Sequence, residues 1–156
     1  PCNTAHYWHD DLQKKINIPI ISMPKEVYLN TKKTCKINSK IGLLSTEATL
    51  TTKVYHRYFE KHFKLVSPTK SIQKSSVNRS IKYVKMGKIK EAERAIRPAV
   101  NYLMKINCKR IILGCTELPI AIFAFKSFKK IKQSKIFIDP NLLLAKVSMK
   151  KYKSLK

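Results

Sequence analysis

Two cysteines of this 156-residue chain stand in similar local surroundings. Cys2 opens the run Cys-Asn-Thr-Ala-His, and Cys115 follows Gly114 in the run Leu-Gly-Cys-Thr-Glu-Leu-Pro. A thiol beside the N–H groups of a turn or helix start can fall from a pKa of about 8.5 toward neutrality. Gly114 permits a tight turn and the close approach of a ligand. Both cysteines are therefore candidates for working thiols with a lowered pKa.

Two such thiols on matching strand ends could face each other across a cleft. One thiolate would remove a proton from carbon, and the other thiol would return a proton to the opposite face. Cys35 and Cys108 lack polar neighbours in this arrangement and are predicted to be inert small apolar side chains. His6 has two interpretations, since it could orient the helix start and tune the first thiolate, or make only a contact on the helix face.

The elements that must position these residues alternate along the chain. Short apolar runs predict strands, amphipathic runs predict helices, and this alternation indicates a parallel α/β sheet with helices on both faces. Pro98 falls inside a predicted helix, where it should cause a kink. The predicted strands are 18–23, 40–45, 64–67, 110–113 and 136–138, and the helices are 7–15, 25–36, 49–63, 71–86, 89–106 and one from 141.

Ligands of such sheets bind beyond the carboxyl ends of the strands. Cys115 follows the strand 110–113, and Thr49 follows the strand 40–45 together with Glu47. Thr49 is the better candidate of these two for substrate contact. Glu117 has two interpretations: it stabilises a helix N-terminus, or it tunes the Cys115 thiol and holds a substrate ammonium group.

The charge of the chain favours a second class of function. It has 33 Lys and Arg residues against nine Asp and Glu, a formal net charge of +24. Such an excess is typical of nucleic-acid or anionic-membrane binding. However, only five of the 33 are Arg, and the lysines are spread over the whole length. A basic nucleic-acid-binding module is therefore kept as the less favoured alternative. The main interpretation expects no specific binding of nucleic acid.

Other classes of protein are disfavoured. The four Cys and four His residues form no CxxC, HExxH or other zinc spacing, so no metal site is predicted. No apolar run approaches the length of a membrane span, and binding to a membrane is not expected. The start of the chain lacks the features of a signal peptide, and a reducing, cytoplasmic location is therefore expected.

Three ordered runs resemble motifs of the aspartate/glutamate racemase family. They are Cys-Asn-Thr-Ala-His at 2–6, Gly-Leu-Leu-Ser-Thr-Glu-Ala-Thr at 42–49 and Leu-Gly-Cys-Thr-Glu-Leu-Pro at 113–119. Phe-Ile-Asp-Pro at 137–140 fits as well, and the resemblance covers essentially the whole chain. It implies an α/β fold of two pseudo-symmetric lobes, with mostly parallel sheets flanked by helices. It also implies cofactor-independent racemisation of a small acidic amino acid, aspartate first and glutamate second, by a homodimer.

The resemblance assigns roles to individual residues. Cys2 and Cys115 would be the catalytic acid/base pair, and Lys85 would contact the distal carboxylate of the substrate. The residues that help bind the α-carboxylate and ammonium groups would be Asn3, Thr4 and Thr116.

The chain also departs from the family pattern. Family chains begin well before the residue that matches Cys2, so we expect an N-terminally truncated chain whose first lobe is incomplete. On this view 1–23 is a remnant of the first lobe, 24–135 is the second lobe, and 136–156 is a strand and helix that return to the first. Ala48 replaces a family glycine and would be strained at positive φ. We expect weak or no activity of the chain alone, and an inactive racemase-like remnant is the alternative.

Overall fold

The computed structural model of the chain describes residues 1–124, 128 and 135–154. Its centre is a sheet of strands β1 (Lys40–Ser45), β2 (Lys64–Val66), β3 (Arg110–Gly114) and β4 (Phe137–Ile138). The strands lie in the order β2-β1-β3-β4, and each neighbouring pair is parallel. The predicted α/β class with a parallel sheet is thereby confirmed. The strand 136–138, which the sequence assigns to the last segment, pairs with β3 in this same sheet.

Helices connect and cover these strands. A 3₁₀ helix over Thr4–Trp8 leads into α1, and a π-helical stretch over Gln73–Asn78 joins α5 to α6. The α-helices are α1 (His9–Lys15), α2 (Met23–Thr34), α3 (Glu47–Thr51), α4 (His56–Phe59), α5 (Lys70–Ile72), α6 (Arg79–Lys85), α7 (Ile89–Lys105), α8 (Leu118–Phe123) and α9 (Pro140–Lys153).

Alternating side chains of the two central strands fill the core on both faces of the sheet. Leu44 and Leu113 pack with the helices α6, α7 and α8, whereas Leu43 and Ile112 pack with the helices α2 and α4. The strands are therefore buried on both faces, as their continuous apolar runs predicted.

The predicted strand at 18–23 is wrong. Side chains of α1 form hydrogen bonds with the backbone of this segment. Gln13 Oε1 accepts from the Ile20 N–H at 2.7 Å, and His9 Nε2 lies 3.0 Å from the Ile20 carbonyl oxygen. Ile18 is exposed, and Met23 already begins α2. The apolar run therefore forms an extended loop, because its hydrogen-bonding partner is a helix rather than a strand.

The predicted single helix over 49–63 is two short helices instead. Lys53 has a φ of 53°, in the left-handed region that interrupts a right-handed helix. The helices α3 and α4 are consequently separated by a turn, and Phe59 of α4 is buried in the core. The periodicity of the apolar residues survives this break, which is why the sequence pattern did not reveal it.

Pro98 lies inside the continuous helix α7, and a serine from another helix compensates for it. Ser76 Oγ donates to the Ala95 carbonyl and accepts from the Ala99 N–H at 3.2 Å. The hydroxyl thus stands between two groups that would otherwise bond each other in the helix. A buried Ser76 in the π-helical stretch explains how α7 accommodates a proline in its interior.

The described residues contain no helix that is long and apolar enough to span a membrane. The helix α9 packs mainly against α2 and also contacts β3. The division of the chain into segments 1–23, 24–135 and 136–156 remains a prediction.

Candidate functional site

The carboxyl ends of β1 and β3 bring the second and third motifs together. Ser45 is the register partner of Gly114 in the parallel pair, so Thr46 and Cys115 leave the sheet from adjacent positions. This edge is where the topology of a parallel sheet places a ligand.

Gly114 is required by the neighbouring strand. A Cβ atom at this position would lie 2.9 Å from Leu43 Cδ1 and 3.1 Å from Ser45 Cβ. The expected tight turn at Gly114 is wrong, because Gly114 ends β3 without a positive φ and its close contact is with β1. The close approach of a ligand at this position remains a prediction. A side chain here would push β3, and Cys115 with it, away from β1.

Cys115 lies in a small polar cluster with Glu117. The thiol is buried, and its Sγ donates to Glu117 Oε2 at 2.9 Å. Thr116 Oγ1 donates to the same oxygen, also at 2.9 Å. Lys85 Nζ lies 3.7 Å from Glu117 Oε1, and its side chain is 64% exposed. The structure therefore brings together four of the predicted site residues.

The Cys115 thiol is strongly protonated in this arrangement. Burial, followed by the hydrogen bond to Glu117, raises the pKa of Cys115 to about 12. Burial opposes ionisation of Glu117 too, but the hydrogen bonds from Cys115 and Thr116 outweigh it and hold the Glu117 pKa below its usual value. The expected lowering of the Cys115 pKa is thus wrong for this state, because burial first and the Glu117 carboxylate second outweigh the N–H groups of the helix start. The Cys115 thiol donates its hydrogen bond to Glu117.

Three threonine hydroxyls form a second cluster, at the end of β1. Thr4 Oγ1 lies 2.7 Å from Thr49 Oγ1, which lies 3.0 Å from Thr46 Oγ1. Thr46 also caps α3, since its Oγ1 accepts from the Thr49 N–H at 3.2 Å. The cluster joins two residues of the predicted site, Thr4 and Thr49, across 45 positions of the chain.

Asn3 lies beside this cluster and is only 3% exposed. Its Oδ1 accepts a hydrogen bond from the Tyr55 hydroxyl, but its buried Nδ2 has no hydrogen-bond partner. A buried amide donor without a partner is costly in a folded protein. Asn3 therefore has the properties of a group that donates to a bound ligand.

Cys2 is placed differently from Cys115. It is exposed, and it lines a groove of about 570 Å³ with His6, Leu12 and Leu144. Within the part of the chain that the structure describes, no hydrogen bond joins Cys2 or the threonine cluster to the Cys115 cluster. The site residues thus form two groups on one sheet edge, with Cys2 at the margin of the first.

A shallow pocket of about 300 Å³ lies beside the threonine cluster. Thr46 of the threonine cluster lines it, and so does Ile81, one helical turn before Lys85 on α6. Ala48 also lines the pocket; it lies in α3 without a positive φ, so the expected strain at this position is absent.

Sequence reasoning missed two participants of the site. Thr46 could have been found, because a threonine before a helix three residues ahead of Thr49 is a cap signal. Tyr55 gives no such signal, since a tyrosine among apolar residues of a helix resembles a core residue. Elsewhere in the described residues, no three His, Cys, Asp or Glu side chains gather as a metal site would require.

Comparisons with known proteins give one consistent result. The family model of the Asp/Glu/hydantoin racemases matches residues 1–147. The solved aspartate racemase of Picrophilus torridus is 30% identical, with a TM-score of 0.68 over 89% of this chain. A putative Asp/Glu racemase from Yersinia pestis is 26% identical, with a TM-score of 0.73 over 90% of this chain. The broad specificity amino-acid racemase RacX of Bacillus subtilis is 24% identical over 152 residues, 97% of this chain.

The relatives are longer than the chain. The match spans 54% of the Picrophilus protein, 59% of the Yersinia protein and 63% of RacX.

Proposed function

The chain belongs to the Asp/Glu/hydantoin racemase family, and on that premise we propose that it is the catalytic part of an amino-acid racemase that needs no pyridoxal phosphate. The proposed reaction interconverts the enantiomers of an acidic amino acid, aspartate first and glutamate second. The observation that carries the proposal is the hydrogen-bonded cluster of Cys115 and Glu117 at the carboxyl edge of β3, one strand away from the threonine cluster.

The proposed reaction uses the two cysteines in turn. The Cys2 thiolate takes the α-proton, and the electron pair of the broken C–H bond spreads into the α-carboxylate. The Cys115 S–H bond then breaks, and its proton forms the new C–H bond on the opposite face. Cys2 is left as a thiol and Cys115 as a thiolate, so the opposite enantiomer is the substrate of the reverse passage. Glu117 beside Cys115 makes that thiolate a strong base.

Binding of the substrate falls to the donors at the sheet edge. The carbanion is stabilised where donors surround the α-carboxylate. The Asn3 amide has a donor without a partner, and the hydroxyls of Thr4, Thr49 and Thr116 lie at the same edge. Lys85 is proposed to bind the distal carboxylate of the substrate. Its ammonium group would then move away from Glu117.

The same proposal extends to the protein as a whole. Because the chain spans 54–63% of the three relatives, we propose that it works with the remaining part of a two-lobed protein, as a cytoplasmic homodimer. Alone it would be weakly active or inactive. An inactive remnant that keeps only the fold of one lobe is the alternative.

The test is loss of the α-proton signal of L-aspartate in D₂O, with D-aspartate measured in parallel. The chain would be compared with a version joined to the first part of the Picrophilus relative. We expect exchange and racemisation in the joined version. Cys2→Ser or Cys115→Ser should abolish racemisation, and the matched control Cys108→Ser should leave it unchanged. Undiminished racemisation in either catalytic variant contradicts the mechanism, and no exchange in any version favours the remnant.

A further inference from the structure

Both ring nitrogens of His6 are engaged in hydrogen bonds. Nδ1 lies 2.8 Å from the Cys2 carbonyl oxygen, and Nε2 lies 3.0 Å from the Met23 backbone nitrogen. A carbonyl oxygen only accepts and a backbone N–H only donates. His6 therefore carries its proton on Nδ1 and accepts at Nε2, which is the neutral form of the ring.

These two bonds connect Cys2 to a core helix. Met23 is the first residue of α2 and is fully buried, and its N–H precedes the first intrahelical hydrogen bond. Asn3 and Thr4 are held by Tyr55 and Thr49, but those contacts fix the residues after Cys2. Across residues 1–124, 128 and 135–154, His6 is the one side chain that hydrogen-bonds to Cys2.

The surroundings favour the neutral ring. Burial, the neighbouring His9 and the N-terminal ammonium group lower the pKa of His6, although the backbone groups of Cys2 and Ile21 act in the opposite direction. His9 stacks on His6 with ring centroids 6.0 Å apart, and it lies 2.9 Å from Asp10. Arg57 donates to the His6 carbonyl at 3.1 Å and also pairs with Asp10.

We propose that neutral His6 is the positioning residue for Cys2, and that protonation of its ring releases the Cys2 segment from α2. A proton on Nε2 would oppose the Met23 N–H, so the second bond exists only above the pKa of His6. The two hydrogen bonds of the His6 ring, to the Cys2 carbonyl and from the Met23 N–H, are called the clamp. The clamp is formed at neutral pH and is lost as the pH falls through that pKa. Its effect on turnover rests on the proposed function, whereas the clamp itself does not.

Hydrogen exchange of the Met23 amide tests the clamp without any activity assay. In the chain as it stands, we expect this amide to be protected at pH 7.5 and to lose protection in acid, after correction for the intrinsic exchange rate. Nitrogen NMR of the imidazole should show the Nδ1–H tautomer at pH 7.5. Exchange that is unprotected at pH 7.5, or protection that does not change with pH, overturns the proposal.

Two substitutions separate the two bonds. His6→Gln offers a non-titrating acceptor at the Nε2 position, so it should protect the Met23 amide at every pH. His6→Asn keeps only the donor toward Cys2 and should lose the protection by about tenfold or more. The control His62→Gln changes another half-buried histidine, which bonds to Tyr28 rather than to Cys2, and should follow the wild type. Equal protection in His6→Asn and wild type also overturns the proposal.

The catalytic consequence is measured in the version joined to the first part of the relative. His6→Asn should lower kcat about tenfold or more with little change in KM, because Cys2 is misplaced while the carboxylate donors remain. His6→Gln should keep kcat near the wild-type value. It should also remove the fall of kcat in acid that protonation of His6 causes in the wild type. If Met23 behaves as expected but Cys2→Ser leaves racemisation intact, the proposed function fails and the clamp stands. If His6→Asn leaves kcat unchanged, positioning by His6 is refuted.

Discussion

At the scale of single residues, the chemistry of Cys115 depends on one carboxylate. A thiol at a strand end has a pKa set by competition between helix or turn N–H groups and nearby negative charge. Here Glu117 accepts from the thiol at 2.9 Å, and the thiol is buried as well. Both influences favour the protonated thiol of Cys115.

Replacement of Glu117 should therefore change the ionisation of Cys115. In Glu117→Gln the charge is removed, and we expect the pKa of Cys115 to fall from about 12 by about one unit or more. Thiolate absorbance during an alkaline titration measures the shift, with Cys115→Ser subtracted. Glu47→Gln, which changes an exposed carboxylate hydrogen-bonded to Asn78, is the matched control. A Cys115 titration equal to that of the wild type would disprove the role of Glu117.

The same thiol should make the fold sensitive to alkali. The pKa of Cys115 is raised in the folded state, so its contribution to stability is complete below the unfolded pKa of about 9. It is lost as the pH rises from about 9 to about 12. Urea unfolding across that range should show a smaller alkaline loss of stability in Cys115→Ser than in the wild type. Cys35→Ser, whose thiol lies beside Thr34, should retain the full loss.

Lys85 is expected to act on substrate binding. Its ammonium group lies 3.7 Å from Glu117 and is largely exposed, so it can move to a bound carboxylate. In the joined version, Lys85→Met should raise the KM for aspartate about tenfold and change the KM for alanine little. Lys82→Met, on an exposed position of the same helix, serves as the control. A parallel rise for both amino acids would argue against contact with the distal carboxylate.

At the scale of elements, the strands could be predicted because each is a short apolar run between turn residues. The positions of Cys115 and Thr49 beyond β3 and β1 followed from this pattern. The loop at 18–22 could not be predicted, since Ile18 and Ile20 form the same pattern without a neighbouring strand. The break at Lys53 was equally hidden, because a single left-handed residue leaves the apolar periodicity intact.

Ser76 and Pro98 allow a test of how two elements depend on each other. Ser76→Ala should cost about 1–3 kcal/mol in the free energy of unfolding, because the Ala95 carbonyl and the Ala99 N–H both lose a partner. Pro98→Ala added to it should recover part of that loss, since the helix can then close its own bonds. Urea unfolding of both single variants and the double variant measures the coupling. Strict additivity would contradict the compensation described for α7.

At the scale of the whole molecule, the net charge of +24 has a measurable effect that does not require a nucleic-acid function. We expect retention on a DNA column at low salt that falls steeply with ionic strength and shows no preference for sequence. Competition between unrelated oligonucleotides measures it. A sequence preference that persists near physiological salt would favour the alternative of a nucleic-acid-binding module.

The site itself could be predicted only in part, and the reason is geometric. The residue types and the motifs identified Cys115, Thr116, Glu117 and Lys85, which the fold brings together. The raised pKa of Cys115 could not be derived from the sequence, since it depends first on the burial of the thiol and then on the rotamer that turns it toward Glu117. The role of Cys2 remains a prediction.

The short outer strands of the sheet have a consequence for how copies of the chain can meet. β2 has three residues and begins at an exposed lysine, and β4 has two residues. Strands of this length offer too few open hydrogen-bonding groups to template a further strand, and a positive charge at the margin opposes such an approach. Association between copies is therefore directed to side-chain surfaces rather than to growth of a continuous sheet. The fold is thereby protected from edge-to-edge aggregation, even though apolar side chains such as Trp8 and Leu12 stay exposed.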